Sequence, residues 1–171
     1  LALTSIELAN FDQAHTILDL FVKRFQEYNH FHLAYAKLLL AKNNSEEAIS
    51  YLTSIISLSP RNIPLTLFYS EVELNYGSAE KAHENLLDLF NNVAPSPTQI
   101  KLIARAANAS GEYAESFSYM GEYYLSLGMF NEAIEQIKIA LTIDSITNIQ
   151  IAKFVARLNE IEEYLENTNK R

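Results

Sequence analysis

The feature that most constrains this chain is a spacing. Ala14, Ala48, Ala82 and Ser116 follow one another at intervals of 34 residues, each at the same distance past a turn residue: Ala9, Asn43, Gly77 and Gly111. Around each, apolar residues recur three or four apart, the mark of a helix with one face to bury. The pattern is plainest between Glu112 and Ser145. Phe117, Met120, Gly121, Tyr124 and Leu125 form one stripe, Gly128 breaks it, and Ala133, Ile134, Ile137, Ala140 and Leu141 form the next. Two such helices joined by about three residues fold back as an antiparallel pair. A small residue is needed where the second helix crosses the first, because a larger side chain would force them apart.

The interval breaks once. From Ser116 the next equivalent small residue is Ala133, only 17 positions on, half a period. The helix expected over 113–126 therefore carries both halves of the pattern. Tyr113 and Ser116 close the fourth pair, while Phe117, Met120, Gly121 and Tyr124 open the fifth. An odd number of helices is inserted, and a stack of pairs should bend or change its face there. The turn residues place helices at 1–8, 11–25, 29–42, 45–58, 63–75, 79–92, 97–109, 113–126, 130–142 and 147–166. The last has an apolar face of Ile151, Phe154, Val155, Leu158, Ile161 and Leu165 and no partner after it, so it reads as a cap. Ser45 with Glu47, Asp12, and Ser78 with Glu80 stand where second helices begin, positions that favour capping and the helix dipole. Pro64 and Pro97 occupy first-turn positions, where a missing N–H costs nothing.

Composition narrows the class. Of 171 residues 49% are apolar and 11% aromatic, which excludes disorder, and strand-like alternation is nearly absent. Net charge is −8, shared evenly: residues 1–85 hold 6 basic against 10 acidic, and residues 86–171 hold 7 against 11. Without a basic stripe, nucleic acid and anionic membranes are poor partners. The longest apolar runs, such as Leu38 to Ala41, fall far short of a membrane span. No signal peptide is visible, and a start at Leu1 inside a repeat suggests a processed or excised piece. The absence of cysteine excludes disulfide scaffolds and thiolate sites.

No catalytic constellation stands out. His83 and Glu84 begin like a His-Glu-x-x-His zinc motif, but Leu87 occupies the second ligand's place. His30 and His32, two apart on a helix, face different sides, which argues against a shared metal. His15 reads as a surface or boundary residue, and Glu160, Glu162, Glu163 and Glu166 as a solvated face. Tyr113, Tyr119, Tyr123 and Tyr124 read as core or boundary residues, with Tyr119 the one exempted as a ligand contact.

A period of 34 with this pattern of small and large residues resembles the tetratricopeptide repeat, TPR. In the second repeat, Asn29 to Asn62, Tyr35 and Ala36 take the Leu-Gly place, Leu39 the Tyr, Ala48 the Ala, Leu52 the Phe and Pro60 the Pro. The third, to about residue 96, has Tyr69, Ser70, Ala82 and Leu86, with Pro95 one place late. The first is truncated, and no repeat has the tryptophan. The resemblance implies an all-α, TPR-type helical-hairpin solenoid, a right-handed superhelix, as a single domain over 1–171 with about 4–5 repeats and a capping helix at 147–166. It also implies a concave face lined by first helices. That face would take His30, Leu33 and Lys37 from the second repeat and Leu67, Phe68 and Glu71 from the third. Lys101, Arg105 and Asn108 would follow from the fourth, and Tyr119 and Glu122 from the fifth. Leu33, Leu67 and Phe68 suit a groove for a peptide or loop, and Lys101 with Arg105, one turn apart, could hold a carboxylate. The subclass that clamps acidic chaperone tails is not matched, because its Lys and Asn positions hold Leu33, Leu67 and Phe68.

A narrower resemblance covers most of the chain. The half-period step at Ser116, the run Gly121 to Leu125, Gly128, the run Glu132 to Ile137, and Ala156 to Ile161 together resemble the TPR region of bacterial periplasmic zinc metallopeptidases related to the β-barrel assembly-enhancing protease. The resemblance implies a periplasmic interaction module whose partners are proteins or peptides: its own peptidase domain, outer-membrane assembly machinery or β-barrel substrates. It implies no cofactor and no catalytic residue in this segment, with zinc held in an upstream peptidase domain. The alternative is a free-standing TPR scaffold or co-chaperone of a secretion or pilus assembly system, periplasmic or cytoplasmic. Neither reading involves nucleic acid or membrane insertion.

Overall fold

The computed structural model describes residues 2–7, 9–59 and 61–169. Leu1 and Leu8, the ends expected for the first helix, and Pro60, expected to close the second repeat, lie outside the described residues. The described chain is all-α: α1 (Ala2–Glu7), α2 (Phe11–Arg24), α3 (Asn29–Ala41), α4 (Ser45–Leu58), α5 (Ile63–Tyr76), α6 (Ala79–Phe90), α7 (Pro97–Ala109), α8 (Tyr113–Ser126), α9 (Phe130–Ala140) and α10 (Asn148–Asn169). They fall into two compact units, Leu1–Leu89 and Phe90–Arg171.

The recurring turn has a recurring backbone. Ala9, Asn43, Gly111 and Gly128 are all left-handed, with φ of 56°, 61°, 87° and 74°. In each case the next N–H reaches back five residues to a carbonyl: Asn10 to Ser5 (2.8 Å), Asn44 to Leu39 (2.9 Å), Glu112 to Ala107 (2.8 Å) and Met129 to Tyr124 (2.9 Å). This is the hydrogen bond that closes a helix C-terminus over a left-handed residue. Gly77 departs from the series. Its φ is −128°, and the Ser78 N–H donates instead to the side chain of Glu73, Oε2, at 2.8 Å. Glu73 is the residue whose backbone carbonyl would have accepted, so a carboxylate replaces a carbonyl at one of these five turns. Glu73 is 1% exposed and also accepts from the Tyr69 hydroxyl at 2.7 Å. A Cβ on Gly77 would collide with that carboxylate.

The small residues sit where helices touch. Ala14, Ala48, Ala82 and Ala133 are fully buried and Ser116 nearly so. Ser116 Oγ donates to the Ala104 carbonyl of α7 at 2.8 Å. On α8's other side Gly121 faces α9, with space for a Cβ taken by Ile137 and the Ala133 carbonyl, 2.9 and 3.3 Å away. One helix thus closes a hairpin with α7 and opens another with α9, as the half-period step requires.

In the first unit Ala14, Leu18, Ala34 and Leu38 form one cluster with α1, and Ala36, Leu52, Leu65, Tyr69 and Val72 form the next, joining α3, α4 and α5. In the second, Ala114, Ile137, Ala140, Phe154 and Ile161 bind α8, α9 and α10. The structure departs from the expected pattern at two places. The buried stripe of α10 is Phe154 and Ile161 with Leu158 and Leu165 beside them, whereas Ile151 and Val155 are exposed; Val155 lies about 100° round the helix from Phe154. At α4 the N-cap is Asn44, with no side-chain cap bond, so Ser45 does not cap. The α2 cap is Asn10, which accepts from the Gln13 N–H, and Ser78 accepts from Lys81 N–H at 3.2 Å. Among the described residues no helix is long and apolar enough to cross a membrane.

Candidate functional site

On the first-helix side of the first unit, α3 and α5 bring Lys37 and Phe68 together, the Lys37 Nζ standing 5.6 Å from the ring centroid. That is cation–π range. Leu33 and Phe68 are half-buried and lean on the core of Ala36, Leu65 and Tyr69, so they contribute packing as well as surface. Leu67 is half-buried and Glu71 exposed. His30 lies away from this contact, in an aromatic cluster around the α2–α3 turn: its ring is 4.1 Å from Phe31 and 5.6 Å from Tyr28, and Phe31 packs tilted against Phe21 at 4.9 Å.

In the second unit Lys101 on α7 stands over the Tyr123 ring of α8 at 5.6 Å, with Arg105 and Asn108 exposed on the turns that follow. Tyr119 and Glu122 turn toward α10. Arg157 binds Glu122 with two parallel bonds, Nε to Oε1 at 2.7 Å and Nη2 to Oε2 at 2.8 Å, and donates to Glu160 at 2.8 Å. The Glu122 bond is the main reason the guanidinium holds its proton more tightly than usual, against the opposing effect of burial, with Glu160 adding to it. Lys153 lies 5.9 Å over the Tyr119 ring and 3.3 Å from Glu115. Burial, then the nearby Glu115 and Glu122 carboxylates, push the Tyr119 hydroxyl up to about 12. A hollow of about 420 Å³ opens beside these groups, bounded also by Ser118 and Phe154. Glu122 therefore faces a built-in cation before any partner arrives.

One site escaped the sequence reading. On the second-helix side of the first unit, a groove of about 630 Å³ runs between α2 and α4 over α3, and His32, Tyr35 and Tyr51 form its floor. His32 is 4% exposed. Its Nε2 lies 2.8 Å from the Gln26 carbonyl and its Nδ1 2.6 Å from the Tyr51 hydroxyl. A carbonyl only accepts, so Nε2 carries the proton and Nδ1 accepts from Tyr51. Both nitrogens are used, which leaves neither for a metal. Burial raises the Tyr51 hydroxyl well above its ordinary range, and burial followed by Glu47 and Asp19 raises Tyr35. The signal was His32 and Tyr35 one turn apart on α3, but only the crossing of three helices turns them into a floor. Among the described residues no group of three or more His, Asp and Glu side chains could hold a metal ion.

No curated protein matches the chain. Among solved structures, it aligns with a chain in the crystal structure of the APC/C hetero-tetramer Cut9-Hcn1 at 13% identity and a TM-score of 0.40, covering 96% of this chain and 42% of that one. This chain thus spans less than half the length of that one. Residues 30–62, the hairpin of α3 and α4, match the tetratricopeptide repeat family.

Proposed function

We propose that this chain is a protein–protein interaction module that engages a peptide or loop on the first-helix face of its hairpins. The observation that carries the reading is the Lys37–Phe68 contact. A cation and a large aromatic from successive first helices meet at the surface, with exposed Glu71 on the same helix as Phe68. Such a mixed apolar and charged patch suits an extended or helical segment. In finer detail, the resemblance of Gly121 to Leu125 and Glu132 to Ile137 supports the TPR part of a periplasmic zinc metallopeptidase acting in outer-membrane protein assembly and quality control. On that reading zinc belongs to the peptidase domain, and this segment docks and recruits.

The test is a photo-crosslinking residue in place of Phe68. It should yield adducts with a zinc peptidase domain or an outer-membrane assembly protein, while the same residue in place of Glu135, exposed on α9, should not. Adducts with components of a secretion or pilus system would support the alternative, a free-standing scaffold or co-chaperone. Equal labelling at both positions would remove the first-helix face from the reading.

A further inference from the structure

We infer that the groove on the second-helix side of the first unit is a separate binding site for a basic amphipathic peptide segment, one apolar side chain seated at Ile55 and Leu58 and a lysine or arginine at Tyr35 and Glu47. This site is distinct from the Lys37–Phe68 face and does not depend on it.

Four observations carry the inference. The volume, about 630 Å³, lies within the range of ligand-holding clefts. The floor is set in advance: the His32 ring is fixed at both nitrogens, and the Tyr51 ring packs 4.9 Å from Tyr35. A floor that need not reorganise gives more of its contact energy to the ligand. The groove is also graded in polarity. At one end Ile55 is half-buried and Leu58, the last residue of α4, is 79% exposed. Val22 lines the same cleft, so Leu58 is part of a shared apolar lining and not a lone exposed residue, and such a lining is surface that a partner's apolar group would cover.

The other end is negative. The lining holds Asp19, Lys23 and Glu47, one cation against two carboxylates. Lys23 is engaged by Asp19 at 2.8 Å, whereas Glu47 accepts from the neutral amide of Asn44 at 3.2 Å. Besides burial, Glu47 and Asp19 raise the Tyr35 hydroxyl, and Lys23, tied to Asp19, opposes them more weakly, so Glu47 is the carboxylate left for an incoming cation. Two rings flank Tyr35, His15 at 5.8 Å and Tyr51 at 4.9 Å, so a cation here meets the tyrosine at its hydroxyl edge and gains a charge-assisted hydrogen bond to Glu47. An acidic segment would meet like charge at the same place, which supplies discrimination. An amine without an apolar neighbour would leave Leu58 uncovered, so the occupant must supply both groups.

The test uses the full chain, isotope-labelled, titrated with a short amphipathic model peptide of leucine and lysine. Resonances of Tyr35, Tyr51 and Ile55 should shift saturably. Glu47→Gln should weaken binding about tenfold and Glu47→Lys further, as loss of a charge-assisted contact predicts. Leu58→Ser should weaken it about fivefold, as loss of a covered aliphatic side chain predicts. Glu47 and Leu58 are exposed, so thermal melts should show all three variants folded. Lys37→Glu and Glu71→Gln, both at exposed positions, should leave the affinity unchanged, which separates this site from the first-helix face. The inference is overturned if the peptide with glutamate in place of lysine binds equally well. It is also overturned if Glu47→Gln has no effect, or if lysine amide by itself binds as tightly as the peptide, since that would make the groove a small-amine site.

Discussion

Glu73 shows how one side chain can replace a piece of backbone. At the other turns a carbonyl closes the helix end; here the carboxylate does so, held in turn by Tyr69. Gly77 is required for space and not for a left-handed φ, unlike Gly111, whose φ is 87° and whose missing Cβ would meet nothing. The two glycines should therefore fail differently. Gly77→Ala displaces a buried carboxylate from its partners and should cost about 2 kcal/mol in a urea melt. Gly111→Ala carries only the left-handed penalty, about 1 kcal/mol. Equal losses would mean that the Glu73 contact is not what Gly77 protects. Tyr119 gives a second prediction at this scale. Its folded pKa stands above the unfolded value near 10, so the folded state keeps the proton longer and its stabilising share is complete below that pH. Stability should fall as pH rises from about 10 to about 12, and fall less in Tyr119→Phe. Denaturant midpoints across that window check it.

At the scale of the element, α10 is held in two ways. Phe154, 1% exposed, anchors it among Ile137, Ala140 and Ile161, and Arg157 fastens it to Glu122 of α8. Phe154→Ala should cost about 3–5 kcal/mol of local stability. Arg157→Ala should cost about 1 kcal/mol, since the pair is bidentate but part-exposed. Amide exchange of α10 separates the two, and a double-mutant cycle with Glu122→Gln isolates the pair. Helices were the most legible part of the chain. Starts at 11, 29, 45, 63, 97, 113 and 130 coincide with the structure, those at 11, 45, 113 and 130 two residues after a left-handed turn residue and those at 63 and 97 with a first-turn proline. Ends were less legible: α6 stops at Phe90 and α9 at Ala140, two residues before their expected ends, because no left-handed residue marks those termini. Contacts between helices distant in sequence were not legible at all. Glu122 and Arg157 are 35 residues apart, and the groove over His32 is lined jointly from α2, α3 and α4, a combination that periodicity does not encode.

At the scale of the whole chain, the clusters of each unit join helices that are near neighbours in sequence. Stability in such arrays is a sum over hairpins and their immediate interfaces. Leu52→Ala, at a fully buried site in the first unit, and Ile137→Ala, at 1% exposure in the second, should each cost about 2–5 kcal/mol. Loss of amide protection should centre on α3–α5 for the first and α8–α10 for the second. Protection lost uniformly from end to end would contradict an array of local cores.

The doubled role of α8 has a cost in tolerance. Ser116 meets α7, Gly121 meets α9, and Glu115 and Glu122 meet α10, so neighbours occupy three directions around one cylinder. Evolution can trim or append units elsewhere by whole multiples of the period, yet excising a 34-residue block across Gly121 would leave one of those neighbours without its mate. Saturation mutagenesis should accordingly find the fewest permitted changes in this helix, and duplications should be accepted upstream of Pro97 more readily than through it.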